Sequence, residues 1–185
     1  MRRFFLTGFP RSRTAWLANL FTTGEILCWH DALLRCHTAS DLVTLFGKGR
    51  FVGDSDSALM LFYDDVAAMY PGAPWVLVER DADEAFQSMV TKFGSDISKG
   101  GWPLVVAAMQ RMPSNESMLR VRYEELDDVA VIRGIWNHCM PSVKFDERRW
   151  RLLRDMKVER IPPPSDPVRE ASLAQQVFNK GRLVR

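Results

Sequence analysis

The chain has 185 residues, 46% of them hydrophobic, and a formal net charge of +2 at neutral pH. That length fits one domain, and the apolar share can build a sizeable core and is too high for a disordered chain. The charge is too small to imply nucleic acid or a membrane surface by itself, and no apolar run approaches the roughly 18 residues that span a bilayer. Most of the basic residues are Arg, whose planar fork suits phosphate or carboxylate, although a bias in base composition would give the same excess. The cysteines, Cys28, Cys36 and Cys139, form no C-x-x-C pair and are odd in number, which argues against a disulfide framework or a zinc site and for a reducing compartment. The N-terminal apolar stretch, Phe4 to Leu6, is too short for a secretory signal, so a cytoplasmic location is expected.

Phe4-Phe5-Leu6 predicts a buried strand ended by Gly8 and Pro10. Trp16, Leu17, Leu20 and Phe21 recur at helical spacing, with Gly24 as the stop. Residues 25–29 predict a second strand. Residues 31–46 read as helical, with Ser40 as a possible N-cap. Residues 50–53 predict a third strand, and 57–70 a helix closed by Pro71-Gly72. Trp75 to Val78 is the clearest strand, apolar throughout. Asp81 or Asp83 caps a helix to about Phe93, Gly100-Gly101 breaks the chain, and another helix follows to about Arg111. Met118 to Val121 predicts a strand, Asp127 or Asp128 starts a helix to about Cys139, and Asp146 starts another. A Pro-rich linker at 161–167 leads to a last helix within the same single domain, 1–185. Strands alternating with helices predict an α/β fold, three layers in αβα order around a central parallel sheet. In that class ligands sit at the carboxyl ends of the strands.

The stretch TGFPRSRTAWL, residues 7 to 17, joins the first strand to the first helix. Amide N–H groups at a helix start are unpaired, and the macrodipole adds positive potential, so the turn is an anion site before side chains are counted. Arg11 and Arg13 add charge, and Ser12 and Thr14 add hydroxyl donors. The G-x-x-x-x-G-K-[ST] loop of nucleotide triphosphatases does not fit: laid on Gly8, it meets Arg13 and Thr14 where Gly and Lys are required.

Instead the turn resembles the P-[KR]-S-G-T-[TS]-W loop of sulfotransferases that use 3′-phosphoadenosine 5′-phosphosulfate (PAPS). Pro10, Arg11, Ser12, Thr14 and Trp16 match in register. Arg13 stands where Gly is usual; Gly permits a positive φ that Arg disfavours, so the turn either is right-handed here or departs from the family's. VLVERDADEAFQS resembles the family's 3′-phosphate segment, with Arg80 at a strand end and Ser88 eight residues on. RVRYEELDD resembles its Y-E-[DE]-L segment, which implies that Tyr123 lies near the adenine. FNKGRLVR resembles the start of a late R-K-G-x-x-G loop, which would bring Lys180 and Gly181 to the nucleotide.

The resemblance implies a P-loop-like phosphate-binding turn made of Pro10, Arg11, Ser12, Arg13, Thr14, Ala15 and Trp16. It implies PAPS as co-substrate, no metal, and transfer of a sulfuryl group to a small-molecule or carbohydrate hydroxyl, with neither nucleic acid nor membrane as partner. Arg11 takes the place of the family's charge-stabilising loop Lys or Arg. A hydroxyl acceptor benefits from a general base. His30 and Asp31, after the second strand, and Asp54, after the third, are the candidates; His37 and His138 lie in helical patterns and read as structural. Trp29, Phe93 and Trp102 are the candidate apolar walls for the acceptor. Two rivals stand beside this reading: an ATP-using kinase with a degenerate loop, and a non-catalytic nucleotide-binding protein on the same scaffold.

Overall fold

The structure, a computed structural model, describes residues 1–47 and 49–155. The linker at 161–167, the last helix, and Lys180 and Gly181 lie outside the described residues. Five strands form one parallel sheet: β1 (Arg2–Gly8), β2 (Ile26–His30), β3 (Phe51–Ser55), β4 (Trp75–Glu79) and β5 (Met118–Arg122). Their spatial order is β2-β3-β1-β4-β5, so β1 is central and its carboxyl end is flanked by those of β3 and β4.

Alternation along the strands feeds two cores, as expected of a sheet covered on both faces. Phe4, Leu6, Val76 and Val78 pack on one face, with Trp16, Leu17 and Phe21 of α1 (Thr14–Phe21), Ile132, Ile135 and Trp136 of α6 (Val129–Cys139), and Trp150 of α7 (Glu147–Arg154). Phe5, Trp75 and Leu77 pack on the other. There they meet Leu42 and Phe46 of α2 (Ala39–Phe46), Val66 of α3 (Tyr63–Met69), Ala85 of α4 (Ala82–Phe93), and Val105 and Ala108 of α5 (Ser95–Arg111). Stacked rings pin each core: Phe21 on Trp136 at 4.9 Å and Phe5 on Trp75 at 4.6 Å between centroids.

Several helix boundaries differ from the sequence reading. Residues 31–46 split into a 3₁₀ turn, Ala32–Arg35, and α2. Thr38, not Ser40, is the N-cap: its hydroxyl accepts from the Asp41 N–H, and the Asp41 carboxylate accepts from the Thr38 N–H, a reciprocal box that Ser40 has no partner to form. The helix expected over 57–70 divides into a 3₁₀ turn, Ser57–Phe62, and α3. Asp81, Asp128 and Asp146 are the caps of α4, α6 and α7. α1 stops at Phe21, ahead of Gly24.

Gly100-Gly101 does not break the chain, since α5 runs through both residues. The break falls at Gly94, whose φ of 85° only glycine adopts without strain. Two helical glycines cost roughly 1 kcal/mol each against Ala. Burial of Val105 and Ala108, and packing of Trp102 on Phe9 and Phe86 at 5.2 and 5.3 Å, outweigh that local preference.

Candidate functional site

The carboxyl edge of the sheet gathers most of the residues singled out above. The loop Phe9–Arg13 leaves β1, turns by a hydrogen bond from the Ser12 N–H to the Phe9 carbonyl (3.1 Å), and delivers Thr14 as the first residue of α1. Gly8 is required by close approach: a Cβ there would stand 2.6 Å from the Val78 carbonyl oxygen. The first turn of α1 carries no acidic residue and no side-chain cap, so its free amides and dipole remain unquenched. Ser12 is fully buried, and its Oγ has no hydrogen-bond partner among the described residues.

Arg13 resolves the question raised by its departure from Gly. Its backbone is left-handed, φ 60° and ψ 23°, the conformation a Gly would have supplied. Arg11 is left-handed too, at φ 72°. Such strain costs of order 1–3 kcal/mol per non-glycine residue and is held by surrounding contacts. For Arg13 these are visible: its two Nη atoms donate to the Asp127 carboxylate at 2.6 and 3.2 Å, and its guanidinium lies 5.4 Å from the Tyr123 ring centre and 5.9 Å from that of Trp16. Hydrogen bonding to Arg13 holds the Asp127 carboxyl below its ordinary range. In the sequence Asp127 reads only as one of two candidate helix caps, a role that Asp128 fills. The paired Asp-Asp was the available signal, since one cap leaves the second carboxylate for another partner.

Arg80 follows β4, with its side chain only 13% exposed. Its Nη1 donates to the Arg11 carbonyl at 2.7 Å, and its guanidinium sits 4.3 Å from the centre of the Tyr123 ring. Glu84 lies 3.9 Å from its Nε, a long contact that does not draw the side chain off the loop. Arg11 in turn donates from Nε to Ser88 Oγ on α4, at 3.3 Å. Arg11, Arg80, Ser88 and Tyr123, drawn from three separate stretches, thus meet beside the loop.

On the other side of β1, His30 ends β2. Its Nε2 is 3.3 Å from Thr14 Oγ1, and its Nδ1 is 3.1 Å from Asp31 Oδ2. The β2 end therefore reaches the start of α1. Asp54 is fully buried; its Oδ1 accepts from the Ala32 N–H at 3.3 Å and its Oδ2 has no partner among the described residues. Burial, and then Asp56, push its carboxyl well above the ordinary range. Asp56 is buried beside it and is pushed up to about 7, again first by burial and then by Asp31. Ser55 lies between them, fully buried, its Oγ without a partner among the described residues.

The expected acceptor walls are dispersed. Trp29 lies under the Arg35 guanidinium at 5.4 Å, Trp102 packs against Phe9, and Phe93 is 52% exposed at the end of α4. His138 Nε2 lies 3.1 Å from the Trp75 carbonyl, a structural place away from the loop. Among the described residues no group of three His, Cys, Asp or Glu side chains is arranged to hold a metal ion, and no helix is long and apolar enough to cross a membrane.

No curated protein matches the chain in sequence. The family model described as the sulfotransferase domain matches residues 10–152, from the first proline of the loop to the last helix described. That span covers the loop after β1, the segment from Arg80 to Ser88 and the whole sheet beyond β1, and with the three-layer parallel architecture it places the chain in the sulfotransferase domain family, whose members are transferases.

Proposed function

We propose that the chain moves a sulfuryl group from PAPS to a hydroxyl acceptor by in-line transfer. The observation that carries this reading is the join between its two anion-binding segments: Arg80 holds the loop through the Arg11 carbonyl while the Arg11 side chain reaches Ser88. A nucleotide with phosphates at both ends of its ribose needs two such grips side by side. The residues fit that ligand on a local test as well, since Ser12 leaves a buried hydroxyl unsatisfied next to unquenched helix amides.

PAPS supplies the activated sulfuryl group; the protein's own part is positioning and charge stabilisation. Arg11 and the first amides of α1 hold negative charge on the leaving phosphate. Arg80 and Ser88 hold the 3′-phosphate, and Tyr123 carries the Arg80 guanidinium on its ring at the adenine end of the site. His30 is the best-placed base. With a proton on Nδ1 directed at Asp31, Nε2 faces the Thr14 hydroxyl and can take a proton from an acceptor bound there. Asp31 then acts as a positioning residue. Asp54 suits the role less well, because its carboxyl is fully buried and already accepts from the Ala32 N–H, away from the loop's hydroxyls.

Thermal denaturation with 3′,5′-ADP tests the reading. At about 100 times its dissociation constant the nucleotide should add about 2.7 kcal/mol of stability. ATP with magnesium should add none. The reverse ranking would replace the sulfotransferase reading with that of a kinase. Incubation with labelled PAPS and a panel of alcohols, phenols and sugars then identifies the acceptor; binding without turnover across the panel would leave a nucleotide-binding protein.

A further inference from the structure

We infer that Ser55 is a further binding residue for the transferred group: its hydroxyl donates to an oxygen of the sulfuryl moiety, beyond the reach of the phosphate loop. This inference rests on the PAPS reading above. Residues 51, 53 and 55 of β3 share one face of the sheet. That face is the one covered by α1, because Phe51 belongs to the core containing Trp16 and Leu17, and a Cβ on Gly53 would strike the Phe4 ring of the same core at 2.3 Å. Ser55 is the last residue of the strand, paired in register with Leu6 of β1 on one side and His30 of β2 on the other. Its side chain is therefore carried toward the start of α1, where His30 already touches Thr14.

The hydroxyl is fully buried and has no hydrogen-bond partner among the described residues. A buried hydroxyl without a partner is costly, and folded proteins satisfy the large majority of such groups. Ser12 Oγ, on the neighbouring loop, is in the same condition. Two unsatisfied donors bordering an electropositive helix start are complementary to an oxyanion.

The order of strands says which part of the donor Ser55 meets. Along the carboxyl edge, the run β4-β1-β3-β2 presents Arg80, then the loop, then Ser55, then His30. With the 3′-phosphate at Arg80 and Ser88 and the 5′-phosphate in the loop, the group beyond the 5′-phosphate extends toward β3. The sulfuryl moiety is that group, and His30, the base for the acceptor, lies one strand further out.

The test compares two ligands that differ by this group, PAPS and 3′,5′-ADP, on wild type and on Ser55→Ala. Titration calorimetry without acceptor should show PAPS binding weakened by about tenfold or more in Ser55→Ala, the effect of losing one hydrogen bond to a charged group. Binding of 3′,5′-ADP should be unchanged within twofold. The free variant should melt at or above the wild-type temperature, since an unsatisfied buried hydroxyl has been removed. Ser55→Cys, close in shape with a weaker donor, should fall between the two. Equal affinity of both variants and wild type for PAPS would overturn the inference, as would an equal loss for both nucleotides. Wild type that binds neither nucleotide would instead refute the PAPS reading itself, and the inference with it.

Discussion

Arg80 and Arg13 make opposite demands on the same turn, and substitutions separate them. Arg80 is held between the Arg11 carbonyl and the Tyr123 ring, so Arg80→Ala removes a cation from the site and a donor from the loop. Its expected effect is loss of the thermal shift given by 3′,5′-ADP, and an undiminished shift would remove Arg80 from the site. Arg13 has a left-handed backbone and an ion pair with Asp127. Arg13→Gly relieves the strain while losing the pair; Arg13→Ala keeps the strain and loses the pair as well. Ala should therefore be less stable than Gly by about 1 kcal/mol, readable as a lower midpoint in urea unfolding. Equal stability would mean that the turn relaxes to right-handed backbone once the Asp127 contact is gone. His30→Gln should lower kcat by roughly 10²- to 10⁴-fold, the usual contribution of a general base, with 3′,5′-ADP binding retained. Unchanged kcat would shift the base elsewhere. In sequence, the residue types at this site were legible because loop, strand end and helix start each have a recognisable anion-binding chemistry. What could not be read was which partner Arg13 would find: Asp127 is more than a hundred residues away, and only the β5–α6 connection brings it to the loop.

At the scale of elements, the sheet was easier to read than the helices. Apolar runs such as Trp75 to Val78 can hardly be anything but buried strands, and all five strands appear where apolar residues concentrate. Helix boundaries depended on local chemistry competing with packing. Gly100 and Gly101 signalled a break that the contacts of α5 override, and the capping box of α2 needed Thr38 and Asp41 to be considered together. Gly53 shows a constraint that sequence leaves silent. It sits mid-strand, where glycine is ordinarily unfavourable, because the Phe4 ring of β1 occupies the space of its missing side chain. Gly53→Ala is expected to cost about 1–3 kcal/mol by overpacking. The penalty should fall on stability and leave the affinity for 3′,5′-ADP within a few-fold, provided the variant is measured below its melting transition. A variant as stable as wild type would show that Phe4 can move aside at little cost, and that the β1–β3 register tolerates more than its geometry suggests.

For the whole molecule, charge is segregated along one edge of the sheet. Arg11, Arg13 and Arg80 cluster around the ends of β1 and β4, while Asp31, Asp54 and Asp56 lie at the ends of β2 and β3. The carboxyl half carries a consequence for folding. Burial holds Asp56 at about 7, against an ordinary value near 3.8, and Asp54 is also raised. Between these limits the folded chain keeps a proton that the unfolded chain has released. Stability must therefore fall as pH rises through that window, by at most about 1.4 kcal/mol per pH unit for each such carboxyl. Asp41, Glu125, Asp127 and Asp155 are shifted downward instead, so their contributions are lost only as pH drops through the acidic range below the usual carboxylate values. The two groups act in separate windows, which puts the stability maximum on the acidic side of neutrality. Unfolding in urea at pH 5, 6, 7 and 8 should show a declining midpoint, and the decline should be shallower in Asp56→Asn, which keeps an acceptor for the Ala58 N–H while removing the charge. At pH 8 that variant should be the more stable protein. If wild type were equally stable at pH 5 and pH 8, or if Asp56→Asn kept the full slope, Asp56 would have to be ionised and compensated in the folded state, and the cationic half of the edge would have to extend its influence across β1 to reach it.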